Sequence, residues 1–239
     1  MPRKRYKKDN GNGFNGNGYK EEKSASLSLK LRNIGGPVPV TPDQKHALKT
    51  IINNQITILY GCAGVGKSFL ATLYGLCEFS KGTYKKLVFT RPCIEAGEKL
   101  GALPGDGNLK ILPYMMPIFD ILETKISRED ITYCVENGKI VTLPFAFLRG
   151  NTFNDSFVLA DECQNATPKQ IRLLLTRIGN NTKMVITGDI LQSDISERNG
   201  LADAIERLSG IDGIGIVKLS DDSIIRNPII KEIEDRYSK

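Results

Sequence analysis

Residues 61–68 read Gly-Cys-Ala-Gly-Val-Gly-Lys-Ser and match the pattern G-x-x-x-x-G-K-[ST] at every fixed position. Glycines let a backbone turn tightly and direct its N–H groups at phosphate oxygens. Lys67 would bring a positive charge to the β- and γ-phosphates, and the Ser68 hydroxyl is a suitable ligand for Mg²⁺. This pattern therefore predicts the binding of a nucleoside triphosphate, ATP in the simplest case, together with Mg²⁺.

The residues on either side of this loop have the character that the loop requires. Residues 56–60 are a short apolar, β-branched run, and residues 69–74 continue with a helical pattern. A strand before the loop and a helix after it support the match, because the helix adds its positive amino-terminal end to the anion site. We expect the nucleotide to contact the loop and the residue that follows it: Gly61, Cys62, Ala63, Gly64, Val65, Gly66, Lys67, Ser68 and Phe69.

A pair of acidic residues supplies the second half of a hydrolytic site. Residues 156–160 are an apolar run that ends in Asp161 and Glu162. In P-loop NTPases an Asp at the end of a buried strand holds Mg²⁺, and a nearby side chain positions the attacking water. An isolated Asp-Glu pair usually just begins a solvated loop. Together with the glycine loop, Asp161 is predicted to be a metal ligand and Glu162 the general base.

Apolar runs alternate with helical patterns along the chain. This alternation predicts an α/β fold with a mostly parallel sheet, helices on both faces and ligands at the carboxyl ends of the strands. A helix starting at Ser127 and ending near Gly138 competes with a hairpin that pairs residues 131–135 with 139–143, and we favour the helix. Residues 93–113 are predicted to form a long loop. The predicted strands are 56–60, 87–90, 156–160, 183–187 and 214–219. Besides the helix from Ser127, the predicted helices are 42–53, one from 69, 113–124, one from Thr167 through Ile178, 200–208 and 228–237.

The length and charge distribution predict one domain with a basic arm. A chain of 239 residues suits a single α/β domain. Residues 1–30 contain eight Lys or Arg against three acidic residues, interleaved with an Asn- and Gly-rich stretch that cannot form a core. We expect residues 1–25 to be a disordered arm and residues 26–239 the domain. The arm could attract nucleic acid, with Phe14 and Tyr19 stacking on bases, or serve only as a solubilising tail.

Composition also indicates where the protein works. No apolar run approaches the roughly 18 residues of a membrane span, and the basic amino terminus lacks the apolar segment of a secretory signal. The five cysteines form no C-x-x-C pair. Reduced thiols in the cytoplasm, with no membrane association, are therefore expected.

With these motifs taken together, the chain closely resembles the PhoH-like family of ATPases, which is similar to the first RecA-like domain of superfamily 1 helicases. The resemblance runs from about Thr41 to Tyr237, and Cys163 stands where the family usually has Ala. It rests on residues 61–68, 90–92, 95–101, 103–106, 149–150, 161–165, 175–179, 187–189 with Gln192, and 226–228.

The resemblance implies roles for several further residues. Gln44 occupies the place of a glutamine that reads adenine, although it also suits the third position of a helix capping box. Gln192 resembles a γ-phosphate sensor, and Gln164 and Asn165 would orient water or couple the site to a bound strand. Arg177 and Arg226 are candidate arginine fingers, although a lone arginine more often makes a surface ion pair. Arg91, Glu95 and Lys99 resemble the region that touches nucleic acid.

The predicted function is Mg²⁺-dependent ATP hydrolysis coupled to the binding or remodelling of single-stranded RNA or DNA. One RecA-like unit lacks the second unit that closes over the γ-phosphate, so the resemblance implies a homo-oligomer, a hexameric ring. Three alternatives remain: a nucleotide-gated RNA-binding module with little turnover, a true helicase, and a nucleoside or nucleotide kinase. The kinase is disfavoured because residues 90–151 contain no Arg-rich cluster that could form a lid.

Overall fold

The computed structural model describes residues 34–92, 107–195, 198–220 and 236, with only the backbone described for residues 107–112. Six strands form one sheet in which every neighbouring pair is parallel. Their order across the sheet is β3-β2-β4-β5-β1-β6. The strands are β1 (Ile56–Tyr60), β2 (Lys86–Arg91), β3 (Ile140–Pro144), β4 (Ser156–Ala160), β5 (Lys183–Gly188) and β6 (Ile214–Lys218).

In the described part of the chain, six α-helices cover the two faces of this sheet, as the alternating pattern predicts. Successive strand residues point to opposite faces, so Leu59 of β1 joins one apolar core and Ile58 joins the other. The first four helices contribute to the core that contains Leu59, and the last two to the core that contains Ile58. The helices are α1 (Pro42–Asn53), α2 (Lys67–Ser80), α3 (Gly107–Glu123), α4 (Arg128–Glu136), α5 (Pro168–Leu175) and α6 (Gly200–Leu208).

Side-chain caps fix the starts of three helices where the sequence predicts them. Thr41 accepts a hydrogen bond from Gln44 N at α1, and Ser127 accepts one from Asp130 N at α4. At α5 the capping box is complete, because Thr167 and Gln170 each accept a hydrogen bond from the other's backbone N–H. These caps satisfy backbone donors that would otherwise lack partners in the first turn.

Several sequence-based boundaries differ from the structure, most of all at the start of α3 and the end of α5, and strand β3 was predicted only within the disfavoured hairpin. Helix α3 begins at Gly107 and passes through Pro113 and Pro117, because its buried Met115, Ile118, Phe119 and Leu122 pack into the core and outweigh the local cost of proline. Helix α5 ends at Leu175, so Ile178 lies beyond it and forms a bridge with Phe153. Strand β6 ends at Lys218. The hairpin alternative fails, because residues 140–144 pair in parallel with β2.

Some predictions concern residues outside the described part of the chain. These are the basic arm, the segment 93–106 of the predicted long loop, and the last helix at 228–237. The division into an arm and one domain therefore stays a prediction. Among the described residues, no helix has both the length and the apolar character needed to cross a membrane.

Candidate functional site

The glycine loop joins the end of β1 to the start of α2, at the carboxyl edge of the sheet. Gly61 leaves the strand with φ of 151°, and a Cβ there would lie 2.3 Å from the backbone carbonyl oxygen of Leu219. Gly66 precedes α2 in the left-handed region with φ of 87°. Both positions therefore require glycine, and the loop has the conformation in which successive N–H groups form an anion-binding concavity.

Lys67 lies folded over this loop with 8% of its surface exposed. Its Nζ donates hydrogen bonds to the carbonyl oxygens of Gly61 and Cys62, each at 2.7 Å. Burial lowers the pKa of the Lys67 ammonium, while the negative charges of Asp189, Asp161 and Glu162 act in the opposite direction. The ammonium is thus surrounded by oxygen acceptors and carboxylates.

Ser68 and Asp161 meet although 93 positions separate them in sequence. The Ser68 hydroxyl donates to Asp161 Oδ1 at 2.7 Å, and the Thr187 hydroxyl at the end of β5 donates to the same oxygen. The Asp161 backbone N–H donates to Thr90 O at 3.0 Å, which continues the pairing of β4 with β2. The adjacent strands β2, β4 and β5 therefore hold the carboxylate of Asp161 against the first turn of α2.

Glu162 turns sharply away from the strand, with φ of 55°. Its Oε2 accepts a hydrogen bond from Gln164 Nε2 at 2.5 Å, and its Oε1 lies 3.6 Å from Arg91 Nη2. Gln164 is 3% exposed, and its Oε1 accepts from Asp189 N at 3.1 Å. Residues at the ends of two neighbouring strands thus orient the Glu162 carboxylate. The backbone of Glu162 is in the left-handed conformation, which residues other than glycine adopt mainly at functional sites.

These side chains line one cavity of about 430 Å³ at the edge of the sheet. Gln192 lies on its wall, beside a turn in which its N–H donates to Asp189 O at 3.1 Å. The opposite wall is apolar and belongs to α3. The described residues that line the cavity are Ala63, Gly64, Gly66, Lys67, Ser68, Phe69, Arg91, Pro117, Ile118, Ile121, Asp161, Glu162, Gly188, Asp189 and Gln192.

A second cavity of about 320 Å³ adjoins the loop. Gly64, Gly66 and Phe69 line both cavities, so the two cavities are neighbours. The second cavity is lined mostly by apolar groups, among them Val38 and Val40, which are 82% and 69% exposed. Gln44 also lines it, with 4% of its surface exposed.

The described structure does not bring Arg177 to this site. Arg177 follows α5 at the amino edge of the sheet, where its backbone carbonyl accepts from Phe153 N at 2.8 Å. Its guanidinium donates to Asn151 O and to the Thr176 hydroxyl, each at 3.2 Å. Any contact with a nucleotide would therefore involve a neighbouring subunit. Arg226, Glu95 and Lys99 lie outside the described residues.

Two cysteines lie near the site, and they differ in burial. Cys163 is fully buried, its Sγ lies 3.4 Å from Ala160 O, and burial raises the pKa of its thiol well above the usual range. Cys62 is half-buried in the loop. Cys163 thus places a small side chain in the apolar core next to Asp161.

The residues present fit a magnesium ion. Ser68 Oγ and Asp161 Oδ1 are hard oxygen donors that share one wall of the cavity. Mg²⁺ with a bound triphosphate typically takes only one or two protein oxygens and fills its other positions with water and phosphate. Consistent with this, the described residues contain no cluster of three or more His, Cys, Asp or Glu that would hold a metal without such help.

Sequence reasoning missed three parts of this site. The hydrogen bond from Thr187 to Asp161 depends on which strands are neighbours, and the apolar wall of Pro117, Ile118 and Ile121 depends on how α3 packs. Asp189, which is 6% exposed beside Lys67, lay in a recognised motif but received no role. The position of Asp189 directly after a predicted strand was the available indication.

Comparison with protein families and with known sequences gives one consistent result. The family model described as "PhoH-like protein" matches residues 38–238. A PhoH-like protein of Bacillus subtilis (strain 168) is 39% identical over 226 residues, which cover 92% of this chain and 68% of that relative. A PhoH-like protein of Synechocystis sp. is 38% identical over 198 residues, which cover 82% of this chain and 60% of that relative. The chain thus spans roughly two thirds of the length of these relatives.

Comparison with solved structures concerns the fold. The large terminase of a thermophilic bacteriophage aligns with a TM-score of 0.50 at 13% identity, covering 84% of this chain and 51% of that chain. The expected fold class, a RecA-like α/β P-loop fold with helices on both faces of a parallel sheet, is confirmed. The chain is therefore a P-loop nucleotide-binding protein.

Proposed function

Because the chain belongs to the PhoH-like protein family, we propose that it is an ATPase whose hydrolysis of Mg²⁺–ATP is coupled to single-stranded RNA or DNA. The observation that carries this proposal is the 2.7 Å hydrogen bond between Ser68 and Asp161. It joins the phosphate-binding loop to the acidic strand end in one cavity, which also contains Lys67 and Glu162. A site that bound nucleotide without turnover would not need Glu162 in that cavity.

The roles of the side chains follow from their positions. The loop N–H groups and Lys67 bind the phosphates, and Ser68 and Asp161 hold the metal ion. When bound, Mg²⁺ supplies positive charge that offsets the charge developing on the phosphates. Glu162 accepts the proton of the attacking water, and its hydrogen bond from Gln164 orients the carboxylate for that purpose. Gln192, which lines the same cavity, would contact the γ-phosphate.

Charge supports a nucleic-acid partner. The chain has a formal net charge of +6, and residues 1–30 contribute most of it. Arg91 lies at the cavity wall at the end of β2, directly before the segment that resembles a strand-binding region. Lys and Arg near a phosphate backbone supply salt-dependent affinity that is largely independent of sequence. Residues 1–25 would form a basic arm beside the ATPase domain of residues 26–239.

A homo-oligomeric ring, a hexamer, would complete the site. Within the described residues, Arg91 is the one arginine on the cavity wall, and it is paired with Glu162. An arginine that stabilises the transition state would then come from a neighbouring copy, as heterologous contacts in a closed ring allow. Arg177 and Arg226 are our candidates for this arginine.

We further propose a cytoplasmic location, which suits a protein with reduced thiols.

Phosphate release tests the proposal. We expect the full chain to hydrolyse ATP, and single-stranded RNA or DNA to accelerate turnover severalfold. A chain lacking residues 1–25 should keep its basal rate and lose part of the stimulation. Binding of ATP without phosphate release would favour the nucleotide-gated module, and phosphate transfer to an added nucleoside would favour the kinase. Displacement of a paired strand during turnover would identify a helicase.

A further inference from the structure

We propose that Gln44 holds the phosphate-binding loop in its binding conformation and does not read the nucleobase, so that the site accepts ATP and GTP with little selectivity. This inference rests on the proposed function only in that it concerns the same nucleotide site. It assigns Gln44 as a positioning residue, which contrasts with the adenine-reading role that the family resemblance implies.

Both polar atoms of the Gln44 amide are already engaged within the protein. Its Oε1 accepts a hydrogen bond from Val40 N at 2.9 Å, and its Nε2 donates one to Val65 O at 2.9 Å. The opposite orientation of the amide would face donor with donor and acceptor with acceptor, so these two partners fix it. With Gln44 only 4% exposed, reading a base edge would require breaking buried hydrogen bonds.

The bond to Val65 acts on the loop through the geometry of the peptide unit. A trans peptide is planar, and its C=O and N–H groups point in opposite directions. Because Gln44 fixes the carbonyl of Val65, the N–H of Gly66 in the same peptide must point away from Gln44. Gln44 lines only the second cavity, whereas Gly66 lines both, so an N–H of Gly66 that points away from Gln44 points toward the cavity lined by Lys67 and Ser68. Gln44 thus orients a donor for phosphate.

Contact between Gln44 and Gly66 shows how tightly the two are fitted. A Cβ on Gly66 would lie 2.9 Å from Gln44 Nε2. The Gln44 backbone is held in turn, because its N–H donates to the Thr41 hydroxyl at the start of α1. A chain of contacts therefore runs from the helix cap through Gln44 to the loop.

Among the described residues that line the cavity on the Gln44 side, Gln44 has the one polar side chain that could distinguish adenine from guanine. Pro37 and Pro39 have no backbone N–H, and the N–H of Val40 is donated to Gln44. Phe69 and the valines provide apolar contact that any purine can use. Strong discrimination requires a polar partner that the wrong base leaves unpaired, whereas apolar contact alone discriminates only weakly.

Equilibrium binding of three ligands in the presence of Mg²⁺ tests the proposal: ATP, GTP and inorganic tripolyphosphate, which has no base. We expect wild-type affinities for ATP and GTP to agree within about tenfold. The variant Gln44→Met keeps the side-chain size and removes both hydrogen bonds. It should weaken the binding of all three ligands by a similar factor of about ten, because the buried carbonyl of Val65 loses its partner and the loop loses its fixed orientation.

The matched control is Gln170→Met, which removes the capping glutamine of α5, a residue that lines neither cavity. It should leave all three affinities within about twofold. Loss of ATP affinity alone in Gln44→Met, with tripolyphosphate unaffected, would show that Gln44 reads the base. A wild-type preference for ATP over GTP above about a hundredfold would overturn the proposal even if the variant did not fold. Because the readout is binding, a wild type that binds ATP without hydrolysing it would contradict the proposed function alone.

Discussion

Arg91 Nη2, at the end of β2, lies 3.6 Å from Glu162 Oε1, at the end of the neighbouring β4. The Nη1 of the same guanidinium donates to Tyr114 O of α3 at 2.9 Å. One arginine therefore links the general base that we propose to the helix that follows the segment 93–106. Since the ion pair is partly exposed, its strength is modest, and phosphate groups of a polymer can compete for the guanidinium.

We expect Arg91→Ala to uncouple turnover from nucleic acid. In the wild type, a bound strand that takes the Arg91 guanidinium would free Glu162 from its ion pair, and the variant lacks this response. Stimulation of ATP turnover by single strands should therefore fall at least about fivefold, while ATP affinity should change less than about threefold. Phosphate release with and without single-stranded RNA measures the effect. The control is Arg128→Ala on α4, which removes an exposed ion pair with Glu123 of α3 and should keep full stimulation. Equal stimulation in both variants would contradict this coupling.

Glu162→Gln should separate binding from chemistry. The amide still accepts a hydrogen bond from Gln164 but cannot take a proton from water, so turnover should fall by about 10²–10⁴-fold with ATP affinity nearly unchanged. Single-turnover phosphate release and equilibrium ATP binding give the two values. A variant that hydrolyses ATP at the wild-type rate would remove Glu162 from the mechanism.

Asp161→Asn should abolish the contribution of magnesium to ATP binding. In the wild type, chelation of Mg²⁺ should weaken ATP binding at least about tenfold, because Ser68 and Asp161 would hold the ion that offsets the charge of the phosphates. In the variant the same treatment should change affinity by less than about threefold. Titrations with Mg²⁺ and with excess chelator measure both values. Thr187→Val is a useful companion, since it removes one hydrogen bond to Asp161 and should give an intermediate result.

Mixing variants tests whether Arg177 acts on a neighbouring subunit. Arg177→Ala and Lys67→Ala should each reduce turnover by about 10²-fold or more, the first by removing the finger and the second by removing nucleotide binding. A mixture of the two should recover part of the activity, because an intact loop can then meet an intact arginine from another copy. The subunits must first be shown to exchange. If the mixture then has no more activity than the sum of its two variants, Arg177 does not act on a neighbouring subunit, and its role is the local contact with Asn151.

The buried thiols should be inert at neutral pH. Burial raises the pKa of Cys134 to about 11 and that of Cys163 well above its usual range, so the reactive thiolate is scarce until the pH approaches those values. We expect iodoacetamide at a pH of about 8 to leave both unmodified in the native protein and to modify both in denaturant, as read by peptide mass mapping. Cys163→Ala should keep turnover within about twofold. Rapid labelling of Cys163 in the native protein would show that its thiol is accessible and would contradict this prediction.

The sequence predicted most of the regular structure because the relevant forces are local. Alternating apolar runs gave five of the six strands, and Thr41, Ser127 and Thr167 marked helix starts through hydrogen bonds that span only three residues. The start of α3 could not be predicted in this way, since the packing of Met115 and Leu122 in the core outweighed the prolines. Strand β3 appeared only in the disfavoured hairpin, because Asn137-Gly138 suits both a helix end and a hairpin turn, and only the fold shows that its partner is β2.

For the site, residue types alone determined the chemistry. Glycines, one lysine, one hydroxyl and two carboxylates in this order have a shared use in binding and hydrolysing a triphosphate, whatever the fold that holds them. Tertiary structure decided their connections, because these depend on strand order. By placing β2 and β5 on either side of β4, the sheet brings Thr187 to Asp161 and Arg91 to Glu162. It also decided that Gln44 faces the loop, since only packing determines which buried partners satisfy an amide.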